Sequence, residues 1–416
     1  MESNKKTGKK TGHEEYAEKA GAYLDFLCNA IQTRSTGSAG NRQATDFFAE
    51  IIGPYGYTVE SESFDCLDFK SGKASLEAGG ESFEVYPGPF SPGCDVESEL
   101  ETVSTLGELE TCQCEGKVLL MKGEISAEPL MPKNFVFYNP DHHKKIYALL
   151  ETKKPAAIIA ATGFRPELVG AMYPYPLIED GDFDIPSGYC KDTAGEEIAG
   201  RRGERFKLRI DSERIPSTAC NIIARKKPEA TQKIVICAHI DSKAGSPGAS
   251  DNASGTVVLL LLAEMLSDYQ SRICIEIVAF NGEDHYSAAG QMDYLHKYQK
   301  EIDKIILAVN IDGAGYKVGK TAFSFYGCSD NTKANICKIL SKYGGLTEGE
   351  TWQTGDHMIF VQNLKETMAF TSENISFLMK TITHTEKDKT DIIECEKLVE
   401  IAFALRDVVI SVDSKN

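Results

Sequence analysis

Three short apolar runs in this chain are each followed within four residues by an acidic residue. The runs cover residues 233–238, 273–280 and 305–309, and the acids that follow them are Asp241, Glu283, Asp284 and Asp312. Runs this rich in β-branched residues are typical of strands that are buried on both faces of a sheet. Because ligands of open α/β sheets bind beyond the carboxyl ends of the strands, the four acids predict a site at that edge.

Charge makes these acids a candidate metal site. Four carboxylates gathered at one edge would repel one another and would take up protons unless cations lay between them. His239 precedes Asp241 by two residues and adds a nitrogen ligand. A mixed set of nitrogen and oxygen ligands suits zinc, and cobalt or manganese less exclusively. Each acid alone could simply end its strand in solvent, but three such ends in order favour the metal site.

Two further segments contain candidate ligands. Residues 248–255 form a turn of small residues, Gly-Ala-Ser-Asp-Asn-Ala-Ser-Gly, before a strongly apolar helix predicted from Thr256. Asp251 in this turn could also be an ordinary helix N-cap. His384 lies in Thr-His-Thr-Glu-Lys-Asp, ahead of a helix predicted over about residues 392–408. A lone histidine in such a position is usually a surface residue.

Taken in order, these motifs resemble the co-catalytic zinc aminopeptidases, the relatives of bacterial leucyl aminopeptidases and glutamate carboxypeptidase. The series is His-x-Asp, Gly-x-x-Asp-Asn-x-Ser-Gly, Glu-Asp, Asn-x-Asp and His-Thr-x-x-Asp, and the upstream segment 34–42, Arg-Ser-Thr-Gly-Ser-Ala-Gly-Asn-Arg, is also similar. The alternation of predicted strands and helices in this part indicates a three-layer α/β sandwich. The resemblance implies a mixed, largely parallel central sheet.

The resemblance also implies five ligands for two divalent metal ions, zinc above all. The implied ligands are His239, Asp251, Asp284, Asp312 and His384. His239 and Asp312 would bind one ion, Asp284 and His384 would bind the other, and Asp251 would bridge the two.

Other residues near these ligands have different implied roles. Glu283 would be the general base, and Asp241 would accept the ring N–H of His239 and so fix its tautomer. Residues 355–360, Gly-Asp-His-Met-Ile-Phe, resemble a segment that contributes to the family's specificity pocket, so Asp356 and Phe360 are candidate substrate contacts. The family more often has glutamate where this chain has Asp284. We therefore expect the second ion to sit differently or to bind more weakly.

The middle of the chain predicts a second domain. Short strands, turns rich in Gly and Pro, and one helix near residues 144–153 indicate a mostly β module. Residues 116–124, 145–160 and 183–189 resemble a protease-associated domain, which in related peptidases interrupts the catalytic domain. The expected organisation is a flexible tail, a discontinuous catalytic domain and an insert, over residues 1–13, 14–69 with 213–413, and 70–212. The insert would either cover the active-site cleft or have only a structural role.

Composition narrows the classes of function. The formal net charge of −17 over 416 residues disfavours nucleic acid and anionic membranes as partners. No apolar run reaches the length of a membrane span, and no secretory signal follows the first dozen residues. Twelve cysteines without such a signal predict free thiols and a cytoplasmic location. The close pair Cys112 and Cys114 lacks the second pair that a structural zinc site needs.

The predicted function is that of an aminopeptidase acting on peptides with a free N-terminus. On the same scaffold a glutaminyl cyclase is an alternative, although the Asp-Asn-Ala-Ser-Gly turn is the one seen in the peptidases. A carboxypeptidase would need a cationic pocket, and no arginines cluster near the motifs. A receptor-like binding protein could keep the fold and lose the ligands, but all five ligand positions and the base are filled here.

Overall fold

The computed structural model describes residues 12–31 and 33–415, which form eleven α-helices and sixteen β-strands. The helices are α1 Gly12–Asp25, α2 Ala39–Ile52, α3 Leu106–Thr111, α4 Asp141–Lys153, α5 Asp192–Ala199, α6 Ser254–Met265, α7 Ala289–Tyr298, α8 Asp330–Leu340, α9 His357–Gln362, α10 Ile375–Thr381 and α11 Cys395–Lys415. The strands are β1 Thr58–Glu60, β2 Ser63–Ala78, β3 Glu81–Phe83, β4 Tyr86–Pro87, β5 Cys94–Val103, β6 Val118–Met121, β7 Ala157–Thr162, β8 Ser187–Lys191, β9 Arg205–Cys220, β10 Ile222–Lys226, β11 Lys233–His239, β12 Cys274–Phe280, β13 Ile305–Ile311, β14 Thr321–Tyr326, β15 Leu346–Glu348 and β16 Thr367–Ser372. Of the tail predicted for residues 1–13, all but Gly12 and His13 lie outside the described residues, and these two begin α1.

The first of two compact units consists of the described residues of Met1–Phe64, Thr218–His285 and Ala289–Asn416. Its sheet has eight strands in the order β1-β10-β12-β11-β13-β16-β14-β15. The centre, β12-β11-β13-β16, is parallel, whereas β10 and β14 each pair antiparallel with an inner neighbour. The expected α/β fold with a mixed, largely parallel central sheet is confirmed.

Burial explains why the central strands are almost purely apolar. Every residue of β11 and β12 is buried, so both faces of the sheet are covered. α6 contacts β11 and packs on α1, α2 and α11, and its residues from Ser254 to Ala263 are all buried. A helix that is apolar all round is stable only with neighbours on every side. This packing holds the turn before α6 against the end of β11.

The second unit consists of Asp65–Ser217 and Tyr286–Ala288. The predicted insert, residues 70–212, lies within the first of these ranges. Its sheet also has eight strands, in the order β3-β2-β9-β5-β6-β7-β8-β4, with β5 to β8 parallel. Separate apolar clusters cover the two faces of β6 and β7, one including residues of α3 and α4 and the other a residue of α5. The likeness to a protease-associated domain stays a prediction.

The sequence also predicted that no segment spans a membrane and that the cysteines are free thiols. No helix among the described residues combines the length and the apolar character that a membrane span requires. The predicted cytoplasmic location stays a prediction. All twelve cysteines are free thiols, and the Sγ atoms of Cys112 and Cys114 lie 3.6 Å apart.

Candidate metal centre

The carboxyl ends of three neighbouring parallel strands carry the acids that the sequence singled out. β11 ends at His239, with Asp241 two residues further on, and Asp312 follows β13 directly. β12 ends at Phe280, three residues before Glu283. Because β12, β11 and β13 are adjacent and parallel, these ends meet at one edge of the sheet.

Asp251 reaches the same edge from the turn Ala249–Ala253, which precedes α6. Gly248 enters this turn with φ +62°, a conformation that glycine adopts without steric cost. The side chain of Asn252 donates to the carbonyl of Ile311 at 2.8 Å and accepts the N–H of Gly255 at 3.0 Å. Asn252 therefore ties the turn both to the end of β13 and to the first residues of α6.

The structure brings all five predicted ligands together around Asp251. Nε2 of His239 lies 3.0 Å from Oδ1 of Asp251 and 3.7 Å from Oδ1 of Asp312. Nε2 of His384 lies 3.1 Å from Oδ2 of Asp251 and 2.7 Å from Oδ1 of Asp284. The two oxygens of Asp251 thus face different histidines, each of which has a second carboxylate beside it. Although Asp284 is shorter than glutamate, it reaches His384.

Unsatisfied polar atoms show that this donor set suits a cation. Within the described residues, neither ring nitrogen of His239 nor Oδ2 of Asp284 makes a hydrogen bond, although all three atoms are buried. Buried polar atoms in proteins almost always have a partner, so such a cluster requires an explanation. Two imidazoles and three carboxylates are ligands that zinc accepts. The residues therefore fit one or more divalent metal ions.

The charges of the cluster lead to the same interpretation. Burial disfavours charged imidazoles, but the carboxylates of Asp241, Asp251 and Asp312 outweigh it and raise the pKa of His239. Burial likewise opposes protonation of His384, and Asp284 and Asp251 raise its pKa. The acids thus favour positive charge at both histidine positions, and a bound metal ion would supply such charge.

Glu283 differs from the ligands in its environment. Burial raises the pKa of its carboxyl well above the usual range, and the charges of Asp284 and Asp312 add to this, although His239 opposes it. Its backbone N–H donates to Oδ1 of Asp241 at 3.3 Å. Glu283 is thus held at the edge of the cluster by its main chain.

Comparison with known proteins identifies a family that part of this chain resembles. The model of peptidase family M28 matches residues 221–409, the stretch that contains every proposed ligand. This part of the chain is thus similar in sequence to peptidase family M28. The resemblance to zinc aminopeptidases noted in the motifs is thereby confirmed.

Individual relatives are more distant. Aminopeptidase YwaD of Bacillus subtilis is 31% identical over 144 residues, which make up 34% of this chain and 31% of that protein. A glutaminyl-peptide cyclotransferase of Drosophila melanogaster is 27% identical over 139 residues, 29% of this chain and 38% of that protein. The chain thus matches only about a third of the length of these curated relatives. The solved structure of an aminopeptidase from Aneurinibacillus sp. strain AM-1 superposes with a TM-score of 0.75 at 23% identity, covering 95% of this chain and 93% of the other. That likeness concerns the fold.

Asp241 makes contacts in the first unit that the sequence did not predict. Its Oδ1 faces the ring of His239 and lies 3.6 Å from Nδ1. This distance is longer than a hydrogen bond. Its Oδ2 accepts the N–H of Asp284 at 3.0 Å and the hydroxyl of Thr36 at 3.1 Å. One buried carboxylate therefore lies beside the ring of His239 and anchors the backbone of Glu283 and Asp284.

A pair of amides adds a second anchor that sequence reasoning missed. Asn41 of α2 and Asn281 donate their side-chain N–H groups to each other's carbonyl oxygen, both at 2.9 Å. Gly282 follows with φ +96°, so the chain turns sharply before Glu283. The only sequence signal was that Asn41 lies in the upstream motif.

The predicted substrate contacts, Asp356 and Phe360, are both buried in the first unit. Phe360 is 1% exposed and packs against Phe280 and Tyr294. Oδ1 of Asp356 accepts from Gln291 at 2.6 Å. Burial raises the pKa of Asp356 to about 7. These contacts belong to the core, and a direct contact of either residue with substrate stays a prediction.

The other unit contains a second group of histidines and a carboxylate, the Glu128 cluster of Glu128, His142 and His143. Nε2 of His142 and Nε2 of His143 lie 3.0 Å and 3.2 Å from Oε1 of Glu128. The N–H of Met131 donates to Nδ1 of His143 at 3.1 Å. In the neutral ring Nε2 therefore carries the hydrogen and donates it to Glu128. This tautomer offers a metal no lone pair at Nε2, so the Glu128 cluster does not fit a metal site.

Proposed function

We propose that this chain is a metal-dependent aminopeptidase that removes N-terminal residues from peptides. The observation that carries the proposal is the position of Asp251, whose oxygens lie 3.0 Å and 3.1 Å from Nε2 of His239 and of His384. The five proposed ligands would hold two divalent ions, and zinc is the metal that this ligand set favours. Asp312 would complete the site of His239, Asp284 that of His384, and Asp251 would bridge them.

The chain's own residues would then move the protons. When bound, two divalent ions polarise the scissile carbonyl and lower the pKa of water toward neutrality. The carboxylate of Glu283 takes a proton from the attacking water and returns it to the nitrogen of the leaving amine. Asp241 holds the main chain of Glu283 and faces Nδ1 of His239, which leaves Nε2 for ligation. The surrounding carboxylates favour a cationic α-amine and so select for peptide N-termini.

Glutaminyl cyclisation is the second candidate. The similarity to the Drosophila glutaminyl-peptide cyclotransferase favours it. This reaction joins the α-amine of an N-terminal glutamine to its side-chain amide carbon and releases ammonia. The turn Asp-Asn-Ala-Ser-Gly from Asp251 is the form seen in the peptidases, so hydrolysis is the primary proposal.

One set of assays separates these functions. Purified protein is incubated with leucyl- and alanyl-nitroanilide, with N-acetyl-leucyl-nitroanilide and with a glutaminyl peptide, each with and without a chelator. We expect nitroaniline release from the free amino acid derivatives alone, and its loss with chelator. Cyclisation of the glutaminyl peptide without hydrolysis would support the second candidate. No turnover and no bound metal would contradict both and favour a binding protein.

A further inference from the structure

Two buried charged residues lie in motifs to which the mechanism assigns no role. Arg34 begins the upstream motif, and Asp388 ends the late His-Thr-x-x-Asp motif. Their exposed fractions are 1% and 0%. Both contact the segment that carries Asp251, and they contact it in opposite ways.

Asp388 binds three consecutive amides of the turn. Its Oδ1 accepts the N–H of Ser250 at 2.7 Å, and its Oδ2 accepts the N–H of Asp251 at 3.0 Å. Its backbone carbonyl accepts the N–H of Ala249 at 3.1 Å. Both oxygens of the side chain thus accept a backbone N–H of the turn. The main chain of Asp251 is therefore held directly by this carboxylate.

Asp388 also belongs to the segment that supplies His384. Its N–H donates to the carbonyl of Thr385 at 3.2 Å, so residues 385–388 form a hydrogen-bonded turn. Oγ of Ser246 donates to the same carbonyl at 3.1 Å. The loop of His384 and the turn of Asp251 are thus joined, and Oδ2 of Asp251 lies 3.1 Å from Nε2 of His384.

Arg34 holds the carbonyl side of the same segment. Its guanidinium donates to the carbonyls of Ile240, Pro247 and Gly248 at 3.0, 2.7 and 2.9 Å. Ile240 lies between His239 and Asp241 in the chain. A Cβ atom at Gly248 would lie 2.8 Å from a guanidinium nitrogen of Arg34, so the backbone approaches the cation as closely as glycine allows. The cation thus binds carbonyls of the segment, and the anion binds its N–H groups.

We propose that Arg34 and Asp388 are positioning residues that fix Asp251 with one oxygen toward His239 and the other toward His384. The inference rests on the proposed function, in which these three residues bind metal. Neither residue is among the proposed ligands, and neither is the proposed base. Their effect reaches the reaction through the geometry of the bridging carboxylate, and residues that orient ligands typically change metal affinity by about 10–100-fold.

The alternative is that Asp388 only stabilises the fold, and the chain supplies a matched control for this. Asp413 is also buried, and its Oδ1 accepts the N–H of Arg272 at 2.8 Å and of Ile273 at 3.1 Å. These amides immediately precede β12, at the opposite end of that strand from Glu283. Asp413 therefore has the same structural task far from the proposed ligands.

The test compares Asp388→Asn with Asp413→Asn in the full chain. Asparagine keeps the shape but turns one acceptor oxygen into a donor that faces a backbone N–H. We expect both variants to unfold at a lower temperature than the wild type. Only Asp388→Asn should lose affinity for Zn²⁺, by about 10–100-fold in competition with a chromogenic chelator. The visible absorption of its Co²⁺-substituted form should also change, while that of Asp413→Asn should not.

A second variant covers the case in which Asp388→Asn does not fold. Arg34→Lys keeps the charge but replaces the planar fork by a single point of donation, and it should lower Zn²⁺ affinity in the same direction. Wild-type affinity in every folded variant at Arg34 or Asp388, in a protein that binds zinc and cleaves leucyl-nitroanilide, would overturn the positioning role alone. A wild-type protein that binds no zinc would overturn the proposed function and this inference together.

Discussion

The metal centre and the Glu128 cluster both place two histidines against carboxylates, but they satisfy these groups in opposite ways. In the Glu128 cluster, both nitrogens of His143 have partners that place the hydrogen on Nε2. In the metal centre, neither nitrogen of His239 has a hydrogen-bond partner within the described residues, and Oδ2 of Asp284 has none either. Proximity alone therefore does not identify a ligand set. Buried polar atoms that lack a hydrogen-bond partner among the described residues are the better indication.

The two clusters also differ in what holds them. His142 and His143 are neighbours in α4, so one helix presents both rings. The candidate metal centre draws its proposed ligands from strand ends, a turn and a late loop. Separate buried groups such as Asp241 and Asp388 hydrogen-bond to the backbone of these segments. Such support is needed where geometry must be exact for a reaction, because a bound ion tolerates little displacement of its ligands.

The largest expected difference between the two clusters is their effect on bound metal. A chelator should abolish hydrolysis of leucyl-nitroanilide, and added Zn²⁺ should restore it, because the proposed water activation needs the ions. The double variant His142→Gln with His143→Gln should keep the wild-type zinc content by elemental analysis. Loss of zinc from that variant would show that the Glu128 cluster is a ligand set after all.

Replacement of the proposed base should have the next largest effect. Glu283→Gln keeps the size of the side chain but cannot accept a proton, so kcat should fall by about 10²–10⁴-fold. Its zinc content should remain that of the wild type, because Glu283 is not among the proposed ligands. Steady-state kinetics and elemental analysis on the same preparation check both statements. A variant with wild-type kcat would exclude Glu283 as the base.

Removal of one proposed ligand should reduce the number of bound metal ions. Asp284→Ala should retain one zinc ion instead of two, because the site of His384 then has only Asp251 as a carboxylate partner. Asp284→Glu, the residue more common in the family, should retain both ions. Glu128→Ala is the control and should retain both as well. Two ions in Asp284→Ala would remove this residue from the ligand set.

Much of the metal centre could be predicted because parallel strands place their carboxyl ends together. His239, Glu283 and Asp312 needed only apolar runs and their ends, and Asp251 and His384 needed the order of the motifs. The supporting groups could not be predicted in this way. Asn41 and Asn281 lie 240 residues apart in sequence, and no local pattern indicates that their amides pair.

The same limit applies to side-chain exposure. The motif that contains Phe360 suggested a pocket, yet its ring packs on Tyr294 of α7, a contact that depends on how the helices lie on the sheet. The tautomer of His143 likewise depends on the N–H of Met131, in a loop whose path the sequence does not indicate. Residue types and spacing thus predict which groups can do chemistry, whereas their partners decide whether they do.

The smallest expected effect is a contribution of the Glu128 cluster to the pH dependence of folding stability. Burial lowers the pKa of His143 in the folded protein, and the neighbouring His142 adds to this, although Glu128 opposes it. The unfolded chain therefore binds a proton at this residue more readily than the folded chain. The stabilising contribution is present above the unfolded value of about 6.5 and is lost as the pH falls through the lower folded value.

His143→Gln should remove this dependence on pH. In urea unfolding at pH 8, 6.5 and 5, the variant should lose less stability between pH 8 and pH 5 than the wild type does, because glutamine does not titrate. Its zinc content should not change, since His143 offers no lone pair to a metal. An unchanged slope with pH would mean that His143 is no more difficult to protonate in the folded protein than in the unfolded chain. The hydrogen bond from Met131 would then not keep the ring neutral, and the distinction between the two clusters would rest on His239 and Asp284 alone.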